Sequence, residues 1–143
     1  YGLSSVLAAV GIAQIAILEA RVAARRAVHA RYRDGLWDVP GLSLIAEPNW
    51  SRSNRWLTVI RLDPAIARAD RETVRRALAA HDIESRPVWK PLHLQPAFRD
   101  APRAGGAVAA QLFEEGLCLP SGSSLMPMDQ ARVIDIIRKC GAT

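Results

Sequence analysis

Leu3 to Leu18 reads as a helix that is apolar almost all the way round. Leu3, Val6, Leu7, Val10, Ile12, Ile15, Ile17 and Leu18 are separated mostly by alanines, with Ser4, Ser5 and Gln14 as the polar residues. A helix apolar on every face has to be buried on every face. The rest of the chain makes one small domain, which covers one side of such a helix. The other sides call for a surface outside this chain or for a second copy of it, so a homo-oligomer through Leu3 to Leu18 is expected. A membrane span needs roughly 20 apolar residues; this run is shorter and holds Gln14, so no membrane is expected. The chain opens with Tyr1 and has no basic region before the apolar run, which does not read as a signal peptide.

At 143 residues, 50% of them hydrophobic, the length and composition suit one domain with a real core and argue against disorder. Lys+Arg 19 against Asp+Glu 14 gives a net charge of +5, and the only lysines are Lys90 and Lys139. A basic balance suits an anionic partner or a solvated basic face. Nucleic acid is not expected, because no aromatic-and-basic strand or glycine-rich RNA motif appears. Cys118 and Cys140 have no metal-type spacing, and His29, His81 and His93 are scattered, so no metal site is expected. A reducing cytoplasm fits such cysteine usage.

In chain order, residues 1–33 read as one long helix that turns amphipathic and basic from Glu19. Arg21, Arg25, Arg26, Arg31 and Arg33 form a ladder that reads as a solvent-facing stripe. Asp34-Gly35 reads as its stop, and residues 34–143 as a small αβ domain. Strands are expected at Leu42 to Ala46, Arg55 to Leu62, Asp82 to Arg86 and Leu117 to Leu119. Helices are expected at Arg71 to His81, capped by Asp70, at Ala107 to Glu115, ended by Gly116, and from about Asp129 to Lys139. The order strand, helix, strand predicts a two-layer α/β unit.

Between the third and fourth strands lies Arg86-Pro87-Val88-Trp89-Lys90-Pro91-Leu92-His93-Leu94-Gln95-Pro96-Ala97-Phe98. Its prolines push Arg86, Lys90 and Gln95 toward extended backbone and withhold amide donors, so the run is neither an α-helix nor a central strand. Its aromatic and polar side chains mark a binding loop rather than a mobile linker.

This run closely resembles the "RPxWKPxHxQPxF" signature in the small C-terminal domain of the DegT/DnrJ/EryC1/StrS family. These are pyridoxal-phosphate-dependent nucleotide-sugar aminotransferases of fold type I. Tyr1 to Gln14 is similar to the family's "YRxSNxxAAxGxAQ" helix start, although Gly2 and Ser5 replace the expected Arg and Asn. Arg25-Arg26, Tyr32, Ser53 to Ile60 and Leu117 to Arg138 also match in order.

The resemblance implies the C-terminal portion of an enzyme that aminates a nucleotide-linked 4-keto-6-deoxy sugar for polysaccharide or amino-sugar biosynthesis. It implies pyridoxal phosphate in the full-length enzyme and a dimer. It also implies that the leading helix runs between the large and small domains. For the two-layer unit it implies the α+β form, with a short antiparallel or mixed sheet and helices on one side. Neither Lys90 nor Lys139 lies in the family's Schiff-base motif, so no catalytic residue is assigned here, and this chain alone is expected neither to bind cofactor nor to transaminate.

His93 matches the family histidine that contributes to substrate binding, and an imidazole can donate to a sugar hydroxyl or a phosphate oxygen; the alternative is a histidine bonded within its own loop. Lys90 and Arg86 suit a diphosphate, although Arg86 could instead pair with Glu84 or Asp82. Trp89 offers a flat face to a sugar or base, or else anchors the loop in the core. Gln95 is a weaker candidate of the same kind. The competing reading of the whole chain is a free-standing αβ binding or regulatory module for a phosphorylated small molecule.

Overall fold

The computed structural model describes residues 2–142. Tyr1, the first residue of the matched helix start, lies outside them. The leading helix is two helices, α1 (Ser5–Ala16) and α2 (Leu18–Leu36), bent by 53°. The expected single rod breaks at Ile17, whose φ of −110° leaves the helical region and whose amide bonds back to Gln14 O at 3.3 Å. Ser4 starts α1 by accepting from Leu7 N. No residue of α1 is buried, and Val6, Ile12 and Ile15 are each 72% exposed. No single helix among the described residues is long and apolar enough to cross a membrane.

Helix α2 buries Val28, Tyr32 and Leu36, spaced to share one face. It runs through the expected stop at Gly35. A Cβ at Gly35 would fall 2.8 Å from Ile134 Cδ1, so this glycine serves a close crossing with the last helix rather than a helix end. The arginine ladder is not a free stripe. Arg21 donates to Ser123 Oγ, Arg25 to Trp56 O, Arg26 to Glu47 and Ser53 O, and Arg31 to Gln130 Oε1. These side chains staple later loops onto α2.

Four strands form an antiparallel sheet in the order β1-β2-β4-β3. They are β1 (Leu42–Leu44), β2 (Thr58–Leu62), β3 (Arg86–Pro87) and β4 (Gly116–Leu119). Strand β2 starts three residues later than expected because Asn54 Oδ1 accepts from Trp56 N in a local turn and Arg55 has φ +50°. Strand β3 is only a stub of the expected Asp82 to Arg86. Asp82 is left-handed at φ +58°, and Ile83 N is drawn back to Leu78 O at 3.0 Å. Beyond β3, the proline-rich run forms two single 3-10 turns, Leu92–Leu94 and Pro96–Phe98.

Helix α3 (Arg71–Ala79) is capped by Asp70, which accepts from Thr73 N at 2.7 Å. Helix α4 (Ala107–Glu115) leads directly into β4, and α5 (Pro127–Ala142) closes the chain. One sheet face carries Leu42, Ile60, Leu62, Leu117 and Leu119 into a core completed by α2, α3 and α5. Tyr32, fully buried there, donates from its hydroxyl to Pro120 O at 3.0 Å. The two-layer α+β class read from the sequence is that of the structure, and the sheet, expected to be antiparallel or mixed, is antiparallel throughout.

The turn into β1 depends on Gly41. At φ +74°, a Cβ there would meet Ala67 N at 2.3 Å, whereas Gly105, at φ +67°, faces open space. Gly105→Ala is expected to cost roughly 1–2 kcal/mol, the ordinary left-handed penalty. Gly41→Ala should cost clearly more, because backbone must move as well. Urea unfolding of both variants checks this; equal losses would contradict the close approach.

Candidate functional site

The sheet face opposite the core carries a row of side chains in register. Val59 pairs with Cys118, and Cys118 with Arg86. Over the Cys118 and Arg86 end of this row lies a cavity of about 710 Å³. Its rim comes from the loop before β2, which brings Trp56, and the segment after β3, which brings Trp89 and Lys90. The two indole rings lie 5.7 Å apart at 32°, and they are 58% and 62% exposed. Exposed paired indoles offer apolar faces to a ligand, with polar edges still free to bond. Trp89 is thus a surface side chain over the cavity, not a core anchor.

Three of the five residues singled out in the sequence, Arg86, Trp89 and Lys90, line this cavity together. Arg86 Nε donates to Glu84 Oε1 at 2.7 Å, the first of its two anticipated partners. Both side chains are more than 70% exposed (78% and 73%), so the pair is weak and easily exchanged for a ligand anion. The Lys90 carbonyl accepts from Gln95 Nε2 at 3.0 Å, which ties Gln95 to the loop's shape. His93 lies outside the cavity lining. Its ring packs on Gly106, where a Cβ would come within 2.8 Å of His93 Cε1, at the start of α4.

Trp56, Ser85 and Cys118 were not anticipated as lining residues. Cys118 forms the floor; burial pushes its thiol up, so it stays protonated and unreactive at neutral pH. The Ser85 hydroxyl is buried without a hydrogen-bond partner among the described residues.

The loop that carries Trp56 is held by charge. Glu47 accepts two bonds from Arg26, at 2.8 and 2.9 Å, one from Arg55 at 3.2 Å, and the Ser53 amide. The Arg26 bonds, followed by the Ser53 amide, pull the Glu47 carboxyl down to about 2.

A pyridoxal phosphate site needs a lysine, an acid for the ring nitrogen and a cup for the phosphate; the lining of this cavity offers Lys90, one exposed carboxylate, Glu84, paired with Arg86, and no helix N-terminus to cup a phosphate, so the full set is not assembled from these residues. Among the described residues no three His, Cys, Asp or Glu side chains come together to hold a metal ion.

Residues 1–138 match the model of the DegT/DnrJ/EryC1/StrS aminotransferase family. The chain belongs to this family. It is 42% identical over 141 residues to EpsN of Bacillus subtilis, named as a pyridoxal phosphate-dependent aminotransferase, with 96% of this chain and 36% of that protein covered. It is 29% identical over 137 residues to a GDP-perosamine synthase of Caulobacter vibrioides, covering 94% of this chain and 36% of that one. The structure of DesI solved with its TDP-sugar product superposes with a TM-score of 0.85 at 27% identity, covering 97% of this chain and 36% of DesI. The chain thus spans about 36% of the length of the relatives it matches. The family resemblance carried by the proline-rich signature is the family found.

Glu47 predicts an acid-sensitive contribution to stability. Its folded pKa is depressed, so the contribution is fully present above the ordinary value of 4.5 and is lost as pH falls toward about 2. The stability gap between wild type and Glu47→Gln, measured by denaturant unfolding, should hold steady from neutral pH to about pH 5 and shrink below it. A gap that already closes near neutral pH would contradict the clamp.

Proposed function

We propose that this chain is the small-domain part of a pyridoxal-phosphate-dependent aminotransferase acting on a nucleotide-linked 4-keto-6-deoxy sugar. In this reading its outer sheet face forms one wall of the substrate pocket. The observation that carries the proposal is the exposed Trp56–Trp89 pair beside Arg86 and Lys90: flat apolar faces next to exchangeable cations. That combination suits a ligand with a ring and a diphosphate. The relatives' names agree in kind, since one is a GDP-perosamine synthase and another was solved with a TDP-sugar product.

In this account Trp89 stacks on the sugar or base, and Lys90 and Arg86 neutralise phosphate charge. Gln95 holds the Lys90 carbonyl in place, and His93, on the same loop but packed on Gly106 beyond the cavity lining, is the candidate donor to the part of the ligand that extends past it. Pyridoxal phosphate, held by the large domain, supplies the electron sink. The uncovered α1 supports a partnered protein over a free-standing αβ module, with the large domain and a second copy as the surfaces that cover it. The unpaired Cys118 and Cys140 suit a cytoplasmic enzyme.

Charge-assisted hydrogen bonds contribute about 1.5–3 kcal/mol each, and base–aromatic stacking about 1–3 kcal/mol. In the enzyme that carries this chain, Lys90→Ala, Trp89→Ala and His93→Ala are each expected to raise KM for the sugar nucleotide roughly tenfold or more, with kcat changed less. Steady-state kinetics against the sugar nucleotide checks this; unchanged KM in all three would remove this face from the site.

A further inference from the structure

The segment between β1 and β2, residues 45–57, has no regular structure and little apolar anchoring: Trp50 is 82% exposed and Ile45 39%. Yet it ends in Trp56, one half of the indole pair. Burial does not hold it, so polar contacts must.

Those contacts converge on one carboxylate. Arg26, on the rigid α2, grips Glu47 with both terminal nitrogens and also donates to Ser53 O at 2.7 Å. Arg55, only 13% exposed, donates to Glu47 and to Ile45 O. Ser53 gives its amide to Glu47, and its hydroxyl accepts from Arg55 N at 3.1 Å. The neighbouring Arg25 donates to Trp56 O at 3.0 Å, and Asn54 Oδ1 accepts from Trp56 N at 3.0 Å. Both peptide groups of Trp56 are therefore placed by the clamp or by residues beside it. Arg55 sits at φ +50°, a left-handed backbone that costs roughly 1–2 kcal/mol and persists where surrounding contacts impose it. Without the carboxylate, the largely buried Arg55 and the half-exposed Arg26 would be left as neighbouring like charges with no shared partner.

We propose that Glu47 is a positioning residue which, clamped between Arg26 and Arg55, fixes the loop that carries Trp56 and thereby sets the Trp56–Trp89 wall of the cavity. Its kinetic consequence rests on the cavity being the sugar-nucleotide site; its structural content does not.

Two indoles 5.7 Å apart couple their ultraviolet transitions and give a paired positive and negative band in circular dichroism. In the enzyme that carries this chain, Trp56→Phe and Trp89→Phe define that couplet by abolishing it. Glu47→Gln, nearly equal in size, is expected to lose most of the couplet and to raise KM for the sugar nucleotide several-fold, while unfolding stays cooperative. Arg26→Lys, which keeps the charge but loses the two-pronged grip, is expected to weaken the couplet in the same direction and decides the matter if Glu47→Gln does not fold. A merely stabilising Glu47 would lower the melting temperature and leave the couplet intact in both variants; that result overturns the proposal. If Trp89→Ala leaves KM unchanged, the sugar-nucleotide reading of the cavity falls, and the couplet alone then upholds or overturns the positioning role.

Discussion

Two antiparallel pairings on β4 determine where both halves of the cavity lie. Strand β4 is buried along its whole length, with Leu117 and Leu119 in the core and Cys118 under the cavity. On one side it pairs with β2, whose entry brings Trp56; on the other it pairs with β3, whose exit brings Trp89. Those registers set the start of β2 and the end of β3 on either side of β4, where the two indoles meet. Gly116 makes this possible, since a Cβ there would meet Leu112 O at 2.4 Å and Val88 Cγ2 at 2.5 Å. A slip of one residue would send Cys118 inward and Leu117 out, losing core and cavity together.

The two faces of the sheet are stabilised by different physics. The inner face is sealed by apolar packing against α2, α3 and α5, and its buried polar groups are few and mostly satisfied. Gln130, for example, donates to Val28 O and accepts from Arg31. The outer face is assembled by arginines. Arg25 and Arg26 reach across from α2, and Arg61 holds Glu115 at the end of α4 through an Nε bond of 3.1 Å. Arginine suits this work because its planar fork can grip a carboxylate or several carbonyls at once without losing charge. The surplus of arginine in the composition is therefore largely spent inside the molecule rather than offered to an outside anion.

Much of the fold was legible because its signals are local. Asp70 before a 3.6-residue pattern, Gly116 after one, and the apolar Leu117-Cys118-Leu119 each act through their neighbours in sequence. Gly35 misled because its reason is tertiary: a glycine that reads as a helix stop lets α5 approach instead. Arg55 and Trp56 misled for the reverse reason, since their apolar neighbours suggested strand while Asn54 and the Glu47 clamp imposed a turn. The proline-rich run was readable as an irregular, side-chain-rich loop, and Arg86, Trp89 and Lys90 do share a cavity. The partner tryptophan was not readable, because nothing in sequence pairs Trp56 with Trp89 before the β2–β4–β3 order is known. His93 shows the same limit, as its contact with Gly106 depends on how α4 returns to the sheet.

The proposed contact between the outer sheet face of this chain and the sugar nucleotide is tested most directly by hydrogen–deuterium exchange on the protein that carries it, with and without a nucleoside diphosphate sugar. Added protection is expected in residues 84–90 and 117–121, with the segment entering β2 protected alongside them. Ligand-dependent protection confined to other parts of the protein, with these segments exchanging as before, would contradict it.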